Sequence, residues 1–182
     1  MVKDKIIELA YGRGQLPIQL PTYAKSTIIR KPELLKIKDP ATAIRNALAE
    51  PMGAIPLSEA AKGKKTACIL ICDITRPVPN HLFLRPLIES LTMGGMPLEG
   101  ITILVATGLH RPNEGEELRK LVGDEWVLTN VKVENHFARD SAAHVDLGIT
   151  NNRRVPVKLD RRFVEADIRV ATGLVEPHFM AG

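Results

Sequence analysis

The run Ala67-Cys68-Ile69-Leu70-Ile71-Cys72 is apolar at every position and stops abruptly at Asp73-Ile74-Thr75-Arg76-Pro77. Unbroken apolar character over this length fits a strand buried on both faces, as in a parallel sheet covered by helices. Prolines at 77 and 79 stop the strand from continuing. Polar groups at the carboxyl end of such a strand lie where open α/β sheets hold their ligands. Two later stretches repeat the design. Ile101-Thr102-Ile103-Leu104-Val105-Ala106-Thr107-Gly108-Leu109 runs into His110, and Ile168-Arg169-Val170-Ala171-Thr172-Gly173-Leu174 runs on to His178. With the three strands parallel and adjacent, Asp73, Thr75, Arg76, His110 and His178 converge on one rim, the candidate active site.

The rest of the chain arranges itself around those strands. Lys5 to Tyr11 and Gln15 to Leu20 flank Gly12-Arg13-Gly14 and read as a hairpin. Ile28-Ile29 reads as a further short extended piece. Asp39-Pro40 is an N-cap followed by proline at the first helical position, opening a helix from Ala41 to Glu50. A second short helix covers Leu57 to Ala61. Asn80 caps a helix reaching Thr92, in which Pro86 demands a kink or a restart. Asn113 with Glu116 three residues on suggests a capping box for a helix closed by Gly123. Val131 to Glu134 reads as a short strand, Val145–Ile149 and Arg154–Leu159 as a hairpin, and Asp160 as the cap of a brief helix to Ala166. The expected architecture is a three-layer α/β fold, with a mostly parallel, Rossmann-like sheet and a small antiparallel N-terminal hairpin. We take residues 1–182 as a single domain, with a hairpin arm over 1–35 and a core over 64–182 that carries the motif strands.

Composition narrows the function classes. With 25 basic and 21 acidic residues the formal charge is +4, which suits a small anionic ligand as readily as a polyanion. Aromatic residues make up only 4% of the chain, too few for the stacking platforms of single-strand nucleic-acid binders. Cys68 and Cys72 share a strand face but lie roughly 13 Å apart at strand rise, too far for a disulfide. Free thiols, no signal-peptide core and no membrane-spanning run point to a cytoplasmic protein.

Each motif residue has a chemistry and a plainer alternative. A hydroxyl and backbone N–H groups between a strand end and a helix start can cradle an anion, and Arg76 adds a bidentate fork for carboxylate or phosphate. Asp73 and Thr75 could equally cap a turn beside a solvated arginine; three similar strand ends in one chain favour the ligand-binding reading. His110 and His178 are candidate acid–base groups, because imidazole titrates near neutral pH. His136 and His144 have weaker contexts and read as surface or structural residues, and His81, next to the helix cap, reads as a helix-start residue. Arg153-Arg154, Lys158 and Arg161-Arg162 read as a solvated basic face.

Taken together, Asp73-Ile74-Thr75-Arg76-Pro77, Ala106-Thr107-Gly108-Leu109-His110-Arg111-Pro112, Glu176-Pro177-His178-Phe179-Met180-Ala181-Gly182 and the Tyr11-Gly12-Arg13-Gly14 turn resemble the nickel-dependent lactate racemase (LarA-like) family. The similarity corresponds to the N-terminal part of such an enzyme. It implies a 2-hydroxy-acid racemase or epimerase acting on a small anionic substrate with a nickel-pincer nucleotide (nickel pyridinium-3,5-bisthiocarboxylate mononucleotide). By that resemblance Asp73, Ile74, Thr75 and Arg76 hold the cofactor, and His110 and His178 are the opposed acid–base pair. The substrate hydroxyl proton would pass to a histidine as hydride passes to the cofactor, and hydride would then return to the other face of the ketone. The tethering lysine and nickel-ligating histidine of the family fall beyond Gly182, so no metal ligand is expected within this chain, a C-terminal domain is the implied partner, and the 182-residue chain alone is expected to be inactive. A non-catalytic phosphate- or nucleotide-binding module is the alternative, and a nucleic-acid-binding accessory domain a third reading that rests on the basic isoelectric point alone.

Overall fold

The computed structural model of the chain describes residues 5–29 and 32–175. Two strands, β1 (Lys5–Tyr11) and β2 (Gly14–Leu20), pair antiparallel from Lys5 opposite Leu20 to Tyr11 opposite Gly14. Gly12 carries this tight turn at φ +57°, a backbone region open to glycine without a Cβ penalty. Ile28 and Ile29, expected to be extended, join no ladder. The chain divides into two compact units, Met1–Lys36 and Ile37–Gly182, and the motif strands all lie in the second.

In that second unit α1 (Pro40–Ala49) begins where Asp39 Oδ1 accepts from the Thr42 N–H at 3.1 Å, and α2 (Leu57–Ala60) follows. Next come β3 (Ala67–Cys72), α3 (Asn80–Met93) and β4 (Ile101–Ala106). After them run α4 (Gly115–Val122), α5 (Glu125–Asn130) and β5 (Lys132–Asn135). The chain continues through the hairpin β6 (His144–Ile149) and β7 (Pro156–Asp160), then α6 (Arg161–Glu165) and β8 (Ile168–Ala171).

The central sheet has the order β5-β4-β3-β8, and every pairing in it is parallel. Cys72 is level with Ala106, and Leu70 is level with Ala171. The three motif strands therefore end on one edge, as their sequences predict. Alternation along β3 and β4 sorts the side chains between two faces. Ile69, Ile71, Ile103 and Val105 pack with Leu84, Ile88 and Leu91 of α3 and with Val122 and Val127 of α4 and α5. Cys68 and Leu104 face the other way, against Ala166, Leu70 and Phe163. Helices thus lie on both faces, although α6 is only five residues long.

Three local expectations are corrected. Pro86 lies inside a continuous α3. One missing hydrogen bond costs a helix about 3 kcal/mol, whereas each buried apolar side chain returns about 1.5–3 kcal/mol, and α3 buries Leu84, Leu87, Ile88 and Leu91. Asn80 is a helical residue rather than the cap, and its buried Nδ2 donates to the Leu121 carbonyl at 2.9 Å, tying α3 to α4. Asn113 does not cap α4 either; Glu114 holds that position without a side-chain bond.

The turn after α3 approaches the preceding segment closely. A Cβ built on Gly94 would stand 2.4 Å from the Ser58 carbonyl oxygen and 2.6 Å from the Ala61 Cβ, while its backbone is ordinary right-handed helix at φ −76°. Gly94→Ala is therefore expected to destabilise by steric overlap, on the order of 1–3 kcal/mol. Chemical denaturation with an unchanged m-value would show it, and a neutral effect would mean that α2 moves away freely.

Candidate active site

Asp73 is the first residue past β3, and its side chain is only 5% exposed. A buried carboxylate needs partners to stay charged, and the loop supplies them. Oδ1 accepts from the Thr75 hydroxyl at 2.6 Å and from the Thr75 N–H at 3.2 Å. Oδ2 meets His110 Nδ1 at 2.5 Å. Burial pushes the Asp73 pKa up, but the bonds from Thr75 and His110 outweigh it and hold the carboxyl below its ordinary value. Since an ionised carboxylate only accepts, His110 Nδ1 carries the proton and Nε2 is left as the available ring nitrogen. The His110 side chain is 60% exposed, so that nitrogen can be reached from solvent.

The route that brings His110 back to Asp73 is a turn. Thr107 is buried, Gly108 has φ +58°, and the His110 N–H donates to the Thr107 carbonyl at 2.9 Å. The Thr107 hydroxyl donates to the His136 carbonyl. Thr172, its counterpart after β8, donates its hydroxyl to the Leu70 carbonyl at 3.0 Å. Both motif threonines thus fasten a strand end to the neighbouring strand.

The segment 74–76 differs from an open backbone cradle. The Ile74 N–H donates to Asn113 Oδ1 at 3.1 Å, the Thr75 N–H to Asp73 Oδ1, and the Arg76 N–H to the Asp73 carbonyl at 3.1 Å. All three donors are engaged within the protein, so any anion here would meet side chains first. Asn113 is the hub that sequence reasoning assigned to a helix cap. It is buried, donates from its backbone N–H to Asn135 Oδ1 at 2.9 Å, and donates from Nδ2 to Glu117 at 3.0 Å. Arg111 then grips both oxygens of Glu117 at 2.5 and 2.8 Å. His178 lies outside the described residues.

A second Asp–His pair stands at the neighbouring strand end. His136 follows β5, and its Nδ1 lies 2.9 Å from Asp160 Oδ2. Arg162 binds the same carboxylate through Nε at 2.9 Å and Nη2 at 2.6 Å, and reaches Glu134 at 3.1 Å. Arg162 is therefore not part of a solvated basic face, and His136, with its side chain 18% exposed, is no surface residue. His136 was recoverable from sequence by treating the short fourth strand like the other three, since Asn135 and His136 occupy its carboxyl end.

Burial raises the Asp160 pKa, yet the bonds from Arg162 and His136 bring it down to about 2 from an ordinary 3.8. A lowered folded-state value stabilises the fold fully above the unfolded value and is lost as pH falls through the folded one. The contribution, about 2 kcal/mol at 1.36 kcal/mol per pKa unit, should therefore disappear between about pH 3.8 and pH 2. Asp160→Asn should flatten the acid limb of the unfolding free energy in that window, measured by urea titration at successive pH values. An unchanged limb would remove Asp160 as its source.

Comparison with known proteins agrees with this fold. Residues 11–182 match the lactate racemase N-terminal domain family. The chain is 33% identical to the lactate racemase of Thermoanaerobacterium thermosaccharolyticum over 178 residues, 97% of this chain and 41% of that protein. It is also 33% identical to the lactate racemase of Lactiplantibacillus plantarum over 139 residues, 76% of this chain and 32% of the relative. The fold superposes on the lactate racemase apoprotein of T. thermosaccharolyticum with a TM-score of 0.80 at 30% identity, covering 98% of this chain and 41% of that one. A Thermotoga maritima protein shares the fold alone, with a TM-score of 0.57 at 23% identity over 72% of this chain and 32% of that one. The chain spans 41% and 32% of the length of these two lactate racemases. Among the described residues no helix is long and apolar enough to cross a membrane. By its motifs, its sheet and its relatives, the chain belongs to the lactate racemase N-terminal domain family.

Proposed function

We propose that this chain forms the N-terminal domain of a cytoplasmic 2-hydroxy-acid racemase, with His110 and His178 as its two acid–base groups. The observation that carries the reading is the Asp73–His110 pair. A buried, ionised carboxylate on Nδ1 fixes the imidazole tautomer and leaves Nε2 able to accept a hydroxyl proton and later return it. Orientation matters as much as basicity, because a general base must lie within hydrogen-bond reach of the proton it takes. Thr75 and the Thr107–Gly108 turn hold the two partners in register. Arg76, next to Thr75, supplies a guanidinium suited to the substrate carboxylate or a nucleotide phosphate.

The nickel-pincer nucleotide of the family supplies hydride transfer when bound. Among the described residues no three His, Cys, Asp or Glu side chains gather as a metal site. The fit of these residues is to the organic part and to the substrate: Asp73 to Arg76 would hold the cofactor, and His110 would move the proton. A simple phosphate-binding module has no use for a carboxylate-oriented histidine, and the engaged N–H groups at 74–76 also weigh against it.

The test needs the full-length enzyme with its cofactor. His110→Ala and His178→Ala should each abolish racemisation, with losses of about 10²- to 10⁴-fold. Partial reactions from single enantiomers should show opposite handedness in the two variants. Asp73→Asn should keep the fold and substrate KM but lower kcat, because an amide can donate to Nδ1 and stabilise the wrong tautomer. Near wild-type racemisation by His110→Ala would overturn the assignment.

A further inference from the structure

The Asp160–His136 pair has no part in the reaction proposed above, and it faces a cavity of its own. That cavity, of about 240 Å³, lies on the sheet face bearing Leu104 and is walled by Leu70, Leu104, Leu159 and Phe163, with His136 and Asp160 in its lining. Lys158 and Gly108, the latter from the turn that leads to His110, also line it, but none of Asp73, Thr75, Arg76 or His110 does. The polar end is built rather than incidental. The Asp160 side chain is 5% exposed and bonded to Arg162 and His136, and the His136 ring is fixed further by an edge-on contact with His144 at 5.0 Å. With Nδ1 committed to a carboxylate, Nε2 is the nitrogen left for a ligand.

Charge and size narrow the ligand. Around the pair, Asp160, Glu134 and Asp146 are matched by Arg162, Lys132 and Lys158, three carboxylates against three cations, with Lys158 and Asp146 4.0 Å apart. That balance leaves no surplus charge for a ligand to neutralise, and a carboxylic acid that brings its own proton to Nε2 leaves it intact. Apolar walls disfavour a multiply charged phosphate, whose desolvation would go unmatched. The volume lies below the roughly 300–1,000 Å³ of drug-sized sites, so the ligand is short.

We propose that this cavity binds a small aliphatic carboxylic acid, its chain against Leu70, Leu104 and Phe163 and its carboxyl group on Nε2 of His136, which accepts the acid's own proton. The site is independent of the racemase reading, and either can fail without the other. Sodium hexanoate, 1-hexanol and inorganic phosphate are titrated separately into the 182-residue protein carrying ¹⁵N-labelled histidine and labelled methyl groups. Hexanoate should saturate, moving the His136 Nε2 resonance and the methyls of Leu70 and Leu104, and 1-hexanol and phosphate should bind at least tenfold more weakly. His136→Gln should weaken hexanoate about tenfold or more, as expected for a lost charge-assisted hydrogen bond. If that variant does not fold, the unsubstituted protein decides alone through the His136 resonance. An unmoved His136, equal binding of 1-hexanol, or shifts confined to residues 73–76 and His110 would each overturn the proposal.

Discussion

A charged carboxylate at the end of a doubly buried strand is the constraint to which the site is fitted. Asp73 cannot remain ionised at 5% exposure without donors, and its donors come from two directions. Thr75 answers from the same loop, and His110 from the next strand. The loop after β3 therefore cannot settle until β4 is paired beside it. Asn113 extends the dependence by one more strand, joining the Ile74 N–H to Asn135 at the end of β5. Local chain direction, sheet order and site geometry are in this way one problem with one solution.

The sheet was legible because its signals are local. Apolar runs ended by proline and polar residues mark β3 and β4 in any window that contains them, and their shared direction follows from the helices between. The convergence of Asp73 with His110 followed from that alone. Asp160 as a cap was equally local, accepting from the Arg162 N–H two residues on.

What escaped the sequence reading has long separation in common. Asn113 carried a capping-box pattern, yet its side chain serves Ile74, 39 residues away, and its backbone serves Asn135, 22 residues away. His136 finds Asp160 across 24 residues and Arg162 finds Glu134 across 28. No local periodicity encodes such pairs. Arg162 illustrates the point: beside Arg161 it has the look of a solvated charge run, but its partners occupy the last residues of β5 and β7. Pro86 does not restart the helix, for a different reason. A local rule about backbone hydrogen bonding was outweighed by burial of one helix face.

The two Asp–His pairs follow from one structural rule applied at different strand ends. A parallel strand presents its last residues at the sheet edge, where backbone pairing has ended and side chains must satisfy what the ladder no longer does. Thr107 and Thr172 do this for carbonyls of adjacent strands. Asp73 does it for the Thr75 N–H, and Asp160, at the end of the antiparallel strand β7, does it for the Arg162 N–H of α6. In both cases a histidine from a neighbouring connection meets the second oxygen through Nδ1, an oxygen that in Asp160 also accepts from Arg162 Nη2. What separates the pairs is their surroundings. His110 stands largely in solvent beside Arg76's loop, whereas His136 is enclosed between an arginine-bound carboxylate and apolar side chains.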